Sequence, residues 1–194
     1  MSKVKVSSLL AVSVALIAAT TVGIRAESTA KEGGFTIRKV EEQVVLYTIH
    51  RGSYDKAGVA IGRLFALAAQ KGITPRGPVA FVYLNNPRHA SSGHWLTEIR
   101  IPVSKEALKL AGTLGEMTDV KALPAMDVAV AVKPEGQADP GHIYDSLAAW
   151  VFKQGYTGTD SCWETFPANA MTGDYARMKT EIMMPIEKLA ADKE

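Results

Sequence analysis

The chain has 194 residues, of which 47% are hydrophobic and 22% are charged, an ordinary composition for one globular domain or two small domains in close contact. Its formal net charge of +2 and its lack of a Lys/Arg cluster argue against a nucleic-acid partner. A single cysteine excludes an internal disulfide, and the four histidines lack metal-ligand spacing, so we expect neither a metal nor another cofactor.

Residues 1–26 have the pattern of a secretory signal peptide. Two lysines precede an uncharged, mostly apolar run from Leu9 to Ile24, and polar sequence resumes at Arg25. This run is shorter than the ~20 residues that usually span a membrane. We therefore expect cleavage after Ala26 and a periplasmic or secreted protein. The open alternative is an uncleaved segment that anchors the protein to the membrane.

After a flexible lead-in expected over residues 27–36, residues 37–103 form a first predicted module. Gln43–His50 is rich in Val, Ile and Tyr and predicts a strand. Apolar residues at helical spacing predict a helix over Tyr54–Lys71, which Gly72 ends. Two further strands are predicted over Val79–Leu84 and His94–Val103. The order is therefore strand, helix, strand, strand.

Residues 126–188 form a second predicted module with the same order, after a linker over residues 104–125 that holds a short helix near Lys105–Leu110. Met126–Val132 predicts a strand, and Asp139 with Pro140 marks the start of a helix that ends near Gly155. Strands are predicted over Ser161–Pro167 and Tyr175–Ile186.

The two modules share a repeated motif. Thr97-Glu98-Ile99 with Pro102 recurs 83 residues later as Thr180-Glu181-Ile182 with Pro185. At the same offset Gly58 matches Gly141, Leu64 matches Leu147 and Gly72 matches Gly155. An internal duplication is therefore predicted. The predicted fold is α+β: two tandem pseudo-symmetric β-α-β-β modules that form one domain with a central ligand groove.

Strand alternation assigns the two motif glutamates to one side of each module. Thr97 and Ile99 share an apolar face, so Glu98 points to the opposite, helix-free face, and the same reasoning applies to Glu181. If the modules meet across these faces, the two carboxylates approach a common cleft. The alternative is that each glutamate is an exposed strand residue paired with a neighbouring Lys or Arg, such as Arg100 or Lys179.

The second module resembles the GyrI-like domain, also called the AraC-type effector-binding domain. The resemblance is carried by a helix with Trp150, then Gly155-Tyr156, then Trp163-Glu164-x-Phe166, then the strand motif at residues 180–186. Tyr83 and residues 97–103 match the weaker equivalent half. The resemblance implies a groove that binds small molecules, with lipophilic cations as the ligands of multidrug-sensing members. The ligand-binding residues that it implies are Glu164, Glu181, Glu98, Trp163, Tyr83 and Phe166.

Two departures from the family pattern are visible. Phe166 stands where Tyr is usual, which removes a hydroxyl group, and Lys133-Pro134-Glu135-Gly136 replaces a more usual Gly-Pro-Tyr-like loop. Of the other notable side chains, Trp95 and Trp150 are expected in the core. Cys162 is expected to be a buried thiol, because no His or Asp partner is signalled.

Three functional interpretations follow. The first is an exported binding protein for a lipophilic or cationic small molecule, and the missing hydroxyl at Phe166 favours it over catalysis. The second is a hydrolase of electrophilic, cyclopropane-type compounds, in which one groove glutamate acts as base and another as acid. The third is an envelope inhibitor that docks on a protein partner.

Overall fold

A computed structural model describes residues 29–32, 34–167, 175 and 177–190. The predicted signal peptide, residues 1–26, lies outside the described residues. The described elements are ten strands, two α-helices and three short 3-10 helices. The strands are β1 Thr29–Glu32, β2 Phe35–Val40, β3 Gln43–Arg51, β4 Ala80–Tyr83, β5 Leu96–Val103, β6 Thr118–Leu123, β7 Met126–Lys133, β8 Tyr156–Gly158, β9 Trp163–Thr165 and β10 Thr180–Lys188; the α-helices are α1 Ala57–Gln70 and α2 Gly141–Lys153; the 3-10 helices are Tyr54–Lys56, Ser92–His94 and Lys105–Leu110.

All the strands belong to one antiparallel sheet. Their order is β1-β2-β7-β10-β9-β4-β5-β3-β6, and β8 pairs with the end of β10. The predicted α+β fold is confirmed. Each half contains the predicted strand, helix, strand, strand order, and the four elements of the second half start within one residue of an 83-residue offset from those of the first. Pseudo-symmetry between the halves stays a prediction.

Four strands were not expected from the sequence, and one of them is β8, which pairs with the end of β10. Residues 29–32, part of the predicted flexible lead-in, form β1, and Phe35–Val40 forms β2, which pairs with β7. Residues 118–123, in the predicted linker, form β6 on the far edge beside β3. These segments are short, and their strand conformation depends on an edge of a neighbouring strand that only the folded chain offers.

Both helices end, and α2 begins, within one residue of the predicted positions, whereas α1 begins at Ala57 because Tyr54–Lys56 forms a 3-10 helix instead. The carboxylate of Asp139 accepts a hydrogen bond from the backbone N–H of Gly141 at 2.9 Å, at the start of α2. Gly72 follows α1 at φ +65° and Gly155 follows α2 at φ +78°. This left-handed backbone conformation suits glycine and ends the helix.

The two helices lie on the same face of the sheet. Ile61 and Leu64 of α1 pack with Phe81 of β4, and Leu147 of α2 packs with Ile182 of β10. Directly opposite residues in neighbouring strands share a face, and the ladder pairs Phe81 with Glu164 and Glu164 with Ile182. Both helices therefore cover the face that carries these three side chains, called here the helix face.

The halves join edge to edge through β4 and β9. Three residue pairs form this ladder, with Val82 opposite Trp163 at one end, and the backbone N–H of Phe166 extends the pairing by donating to the carbonyl of Val79 at 2.9 Å. The expectation that the modules meet across their helix-free faces is therefore wrong. A strand edge with unpaired N–H and C=O groups gains hydrogen bonds from such an edge-to-edge junction.

Among the described residues, no helix combines the length and the apolar character that crossing a membrane requires.

The junction predicts a contrast between two phenylalanines. Phe81 is almost fully buried and packs against Phe166 and Tyr175 from the second half, at ring-centroid distances of 4.5 and 5.5 Å. Phe81→Ala should lower the free energy of unfolding by about 3–5 kcal/mol, the usual range for a core Phe. Phe152 is 68% exposed on α2, so Phe152→Ala should change the free energy of unfolding by no more than about 0.5 kcal/mol. Urea denaturation of both variants measures the difference, and equal losses would contradict this description of the core.

Candidate functional site

A cavity of about 900 Å³ lies on the helix face, between the β4–β9 junction and the segments that carry the two helices. Apolar surface predominates in its lining. The seven aromatic residues that line it are Tyr54, Phe81, Tyr83, Trp95, Tyr144, Phe166 and Tyr175. The volume falls in the range of small-molecule sites, and aromatic lining with few polar groups is typical of them.

Glu164 of β9 places a buried carboxylate in this cavity, with only 3% of the residue exposed. Its Oε2 accepts a hydrogen bond from the hydroxyl of Thr180 at 2.7 Å, and its Oε1 accepts one from the hydroxyl of Tyr144 at 3.2 Å. A buried carboxylate requires such donors, because losing its hydration is costly. The carboxylate is therefore held in one orientation by side chains from α2 and β10.

Lys133 is the charged partner of this carboxylate. Its Nζ lies 3.4 Å from Oε2 of Glu164, and the two side chains are only 2% and 3% exposed. Lys133 is the last residue of β7 and reaches Glu164 across β10, which lies between the two strands. The cavity thus contains a buried ion pair rather than an isolated carboxylate.

Three tyrosine hydroxyls are kept protonated around the ion pair. Burial, with a contribution from the nearby Glu164 carboxylate, raises the pKa of Tyr54 to about 12. The same two causes raise the pKa of Tyr83 and of Tyr144 well above the usual value for tyrosine. At neutral pH these groups therefore present O–H donors to the cavity.

One wall of the cavity is a group of stacked rings. Tyr54 stacks on Trp95 with centroids 4.5 Å apart and meets Tyr83 edge to face at 5.4 Å. The indole N–H of Trp95 donates to the carbonyl of Ala90 at 2.9 Å, which fixes the ring.

The prediction that Trp95 lies in the core is wrong. It precedes β5, is only partly buried and lines the cavity. Trp150, by contrast, is buried in the α2 core as predicted.

The mouth of the cavity carries charged and polar side chains from both halves. Arg88, in the loop between β4 and β5, lies 3.6 Å from Asp145 of α2, and both side chains are largely exposed.

Cys162 lines the cavity as a free thiol, and burial raises its pKa to about 11. At neutral pH this thiol is protonated, which disfavours a nucleophilic role. Among the described residues no group of three His, Cys, Asp or Glu side chains is placed to hold a metal ion.

The structure divides the six predicted site residues into two sets. Glu164, Tyr83 and Phe166 line the cavity. Glu98, Glu181 and Trp163 do not, and their placement at a common ligand site is wrong. The cause is the alternation of side chains along strands: Trp163 neighbours Glu164 on β9 and so points to the opposite face. Glu98 and Glu181 lie opposite Val82 and Thr165, on that same helix-free face.

Both of these glutamates are paired with cations instead. Glu98 contacts Arg100 and also Lys121, whose Nζ lies 2.9 Å from the carboxylate. Glu181 accepts a hydrogen bond from Arg38 of β2 at 2.7 Å. The pairing with a cation that the alternative predicted therefore holds for both residues, but Glu98 is buried rather than exposed. Arg38, rather than the predicted Lys179, is the partner that the structure shows for Glu181.

The sequence predicts Lys133 only as a loop residue, and it leaves open whether Tyr54 and Tyr144, both in predicted helices, cap the groove or simply pack. The structure places all three in the lining of the cavity. The offset of 83 residues provides one signal, because it aligns Phe81 with Glu164, and these two residues face each other directly at the junction. When equivalent positions of two repeats pair with each other, the residues around that pair are candidates for a site that both repeats line. No sequence signal of this kind identifies Lys133, because its contact with Glu164 across β10 depends on the order of the strands in the sheet.

These features define the class of protein: an α+β domain with an open cavity of small-molecule size that carries seven aromatic side chains. A model of the GyrI-like small molecule binding domain matches residues 10–104. The resemblance to the GyrI-like family that the motifs predicted is thereby confirmed, and it supports small-molecule binding as the general function. The match covers the first module and begins inside the predicted signal peptide.

Solved structures share the fold. The EcmrR C-terminal domain superposes with a TM-score of 0.60 at 15% identity, over 80% of this chain and 98% of that one. EcmrR in its DNA complex superposes with a TM-score of 0.61 at 17% identity over 80% of this chain. This chain spans only 57% of the length of that EcmrR chain. A hydrolase encoded by lin2189 from Listeria innocua superposes with a TM-score of 0.59 at 13% identity, over 79% of this chain and 91% of the hydrolase. No protein with a curated description matches.

The repeated threonines provide a test of the Glu164 environment. Thr180 donates to Glu164, whereas the buried hydroxyl of Thr97 has no hydrogen-bond partner among the described residues. Thr180→Val should cost about 1.5–3 kcal/mol of stability, as expected for a hydrogen bond to a charged group. Thr97→Val should be neutral or stabilising, because it removes an unsatisfied polar group of the same shape. Chemical denaturation compares the two variants, and similar losses in both would contradict the assigned hydrogen bonds.

Proposed function

We propose that this protein binds a small lipophilic organic molecule in the aromatic cavity between its two halves. The observation that carries this proposal is a cavity of about 900 Å³ with seven aromatic side chains and one buried ion pair. Ring faces provide large apolar contact areas, and the tyrosine hydroxyls provide hydrogen bonds that orient a ligand. The confirmed resemblance to GyrI-like small-molecule-binding domains supports the same function.

The aromatic wall suits two kinds of lipophilic ligand. Flat neutral rings stack on Tyr54 and Trp95, and organic cations are attracted to the same ring faces by about 0.5–2 kcal/mol per contact. The lining residues of the described chain include four carboxylates and two cationic side chains. Three of these carboxylates, Asp55, Asp139 and Asp145, are exposed and therefore screened by solvent.

Hydrolysis by paired groove glutamates has less geometric support. That mechanism requires two carboxylates near one substrate, with pKa values pushed apart. Glu98 and Glu181 lie on the face opposite Glu164 and are held by Arg and Lys partners. The likeness to a hydrolase from Listeria innocua is a likeness of fold at 13% identity. Binding without turnover is therefore the function that the geometry favours.

A thermal-shift screen of the protein tests the proposal with lipophilic aromatic compounds, both neutral and cationic. Ligands that stabilise the native state raise its melting temperature according to their affinity. Tyr54→Ala should abolish most of the ligand-induced shift, because it removes the central ring of the wall. Tyr47→Ala is the matched control: Tyr47 lies on the helix-free face and is also partly buried, so the ligand-induced shift should persist.

A second matched pair separates the two motif carboxylates. Glu164→Gln should change the ligand-induced shift, whereas Glu181→Gln should leave it unaltered, because only Glu164 lines the cavity. The proposal fails if no compound of a broad panel shifts the melting temperature. It also fails if the shifts are insensitive to both Tyr54→Ala and Glu164→Gln.

We further propose that the protein is exported and acts in the periplasm or outside the cell. The support is the lysine-flanked apolar run that ends at Ile24, followed by a small residue at Ala26. Expression in a bacterial host should yield a periplasmic protein whose mass corresponds to cleavage after Ala26. Leu9→Arg with Leu10→Arg should leave the full-length protein in the cytoplasm, since charges disrupt the apolar run. A full-length, cytoplasmic wild-type protein would contradict export, and a full-length membrane-bound protein would indicate an uncleaved anchor.

A further inference from the structure

Glu164 and Lys133 form an ion pair inside the cavity, and this pairing changes what charge the site accepts. The two charged atoms lie 3.4 Å apart, and both side chains are almost completely buried. An isolated buried carboxylate attracts a cationic ligand strongly, because few water molecules screen it. Here the compensating charge is already supplied by the protein itself.

The oxygens of Glu164 are also engaged by hydroxyl donors. Thr180 donates to the same Oε2 that Lys133 approaches, and Tyr144 donates to Oε1. A ligand cation that approached this carboxylate would displace one of these donors or come close to the ammonium group of Lys133. Attraction to Glu164 and repulsion from Lys133 act over similar distances and are therefore largely offset.

A second glutamate–lysine pair, on the helix-free face, differs from this one in the solvent exposure of its lysine. Glu98 pairs with Lys121 at 2.9 Å, but the Lys121 side chain is 35% exposed. Solvent can screen and replace that lysine, whereas Lys133 at 2% exposure is part of the cavity wall. Lys121 therefore offers a natural control: a lysine paired with a buried glutamate away from the site.

We propose that Lys133 determines the charge specificity of the cavity, so that the ligand is a lipophilic molecule without net charge that hydrogen-bonds to the tyrosine hydroxyls. The inference rests on the proposed function and adds the ligand class to it. Tyr54, Tyr83 and Tyr144 line the cavity with hydroxyl oxygens that can accept a hydrogen bond from a neutral polar ligand, and the O–H of Tyr144 itself donates to Glu164. The aromatic faces accept the remainder of such a ligand.

Three probes of similar bulk and different charge test the inference: tetraphenylphosphonium, tetraphenylborate and neutral triphenylphosphine oxide. Their Kd values are measured by titration calorimetry or by quenching of tryptophan fluorescence. In the wild-type protein, triphenylphosphine oxide should bind at least as tightly as either ion. Lys133→Met should tighten tetraphenylphosphonium at least tenfold and weaken tetraphenylborate at least tenfold, because Glu164 then lacks its compensating charge.

Control variants separate charge from folding. Lys133→Met leaves a buried charge unpaired and so risks unfolding the protein. Glu164→Gln provides the reverse test, since it leaves Lys133 as the uncompensated charge and should shift preference toward tetraphenylborate. The double variant Lys133→Met with Glu164→Gln removes both charges and should restore the wild-type order of the probes. Lys121→Met should leave all three Kd values unchanged.

The outcomes distinguish this inference from the function on which it rests. If the wild-type protein binds tetraphenylphosphonium at least tenfold more tightly than the other probes, and neither charge variant changes that ratio, the inference is overturned while ligand binding stands. If none of the probes binds the wild-type protein or its variants, the inference is overturned, whereas the proposed function is overturned only if the broad thermal-shift panel also gives no shift. A reversal of preference between Lys133→Met and Glu164→Gln supports the inference.

Discussion

The short ladder between β4 and β9 is the constraint on which the rest of the structure depends. It joins the two halves of the chain edge to edge, so that one continuous sheet runs from β1 to β6. Because the ladder keeps the two halves in a single sheet, α1 and α2 lie on the same face with a space between them. The floor of that space is formed by the residues of the ladder that face the helices, Phe81 and Glu164. The cavity is therefore a consequence of the junction.

The junction also explains why the site combines an aromatic and a charged residue. Phe81 and Glu164 occupy the same position in the two halves at the offset of 83 residues, and they meet as direct neighbours. The phenyl ring packs into the core with Phe166 and Tyr175, whereas the carboxylate needs donors from Thr180, Tyr144 and Lys133. Thr97, the counterpart of Thr180, is left without an acceptor because a phenyl group offers none. One difference between the halves thus makes the site asymmetric.

A buried ion pair is costly to form and does not by itself indicate high stability. Its presence in the cavity is more informative about binding. Charges that are compensated within the protein leave stacking, apolar contact and hydroxyl hydrogen bonds as the main contributions to recognition. The carboxylates of the helix-free face are held in the same way by Arg38, Arg100 and Lys121. Among the described residues, the buried carboxylates of Glu98 and Glu164 are both paired with cations.

Local pattern in the sequence determined the two helices, their glycine ends, the six principal strands and the face on which Glu98 and Glu181 lie. These features depend on residues close together in the chain, where helical and strand periodicities operate. The family resemblance added Glu164, Tyr83 and Phe166, which line the cavity, but also Trp163, which alternation along β9 turns away from it. Only the tertiary structure decided that the halves join by their edges, that β2 and β6 extend the sheet, and that Lys133 meets Glu164. Each of these depends on which strand edges become neighbours, and contacts between residues far apart in sequence decide that.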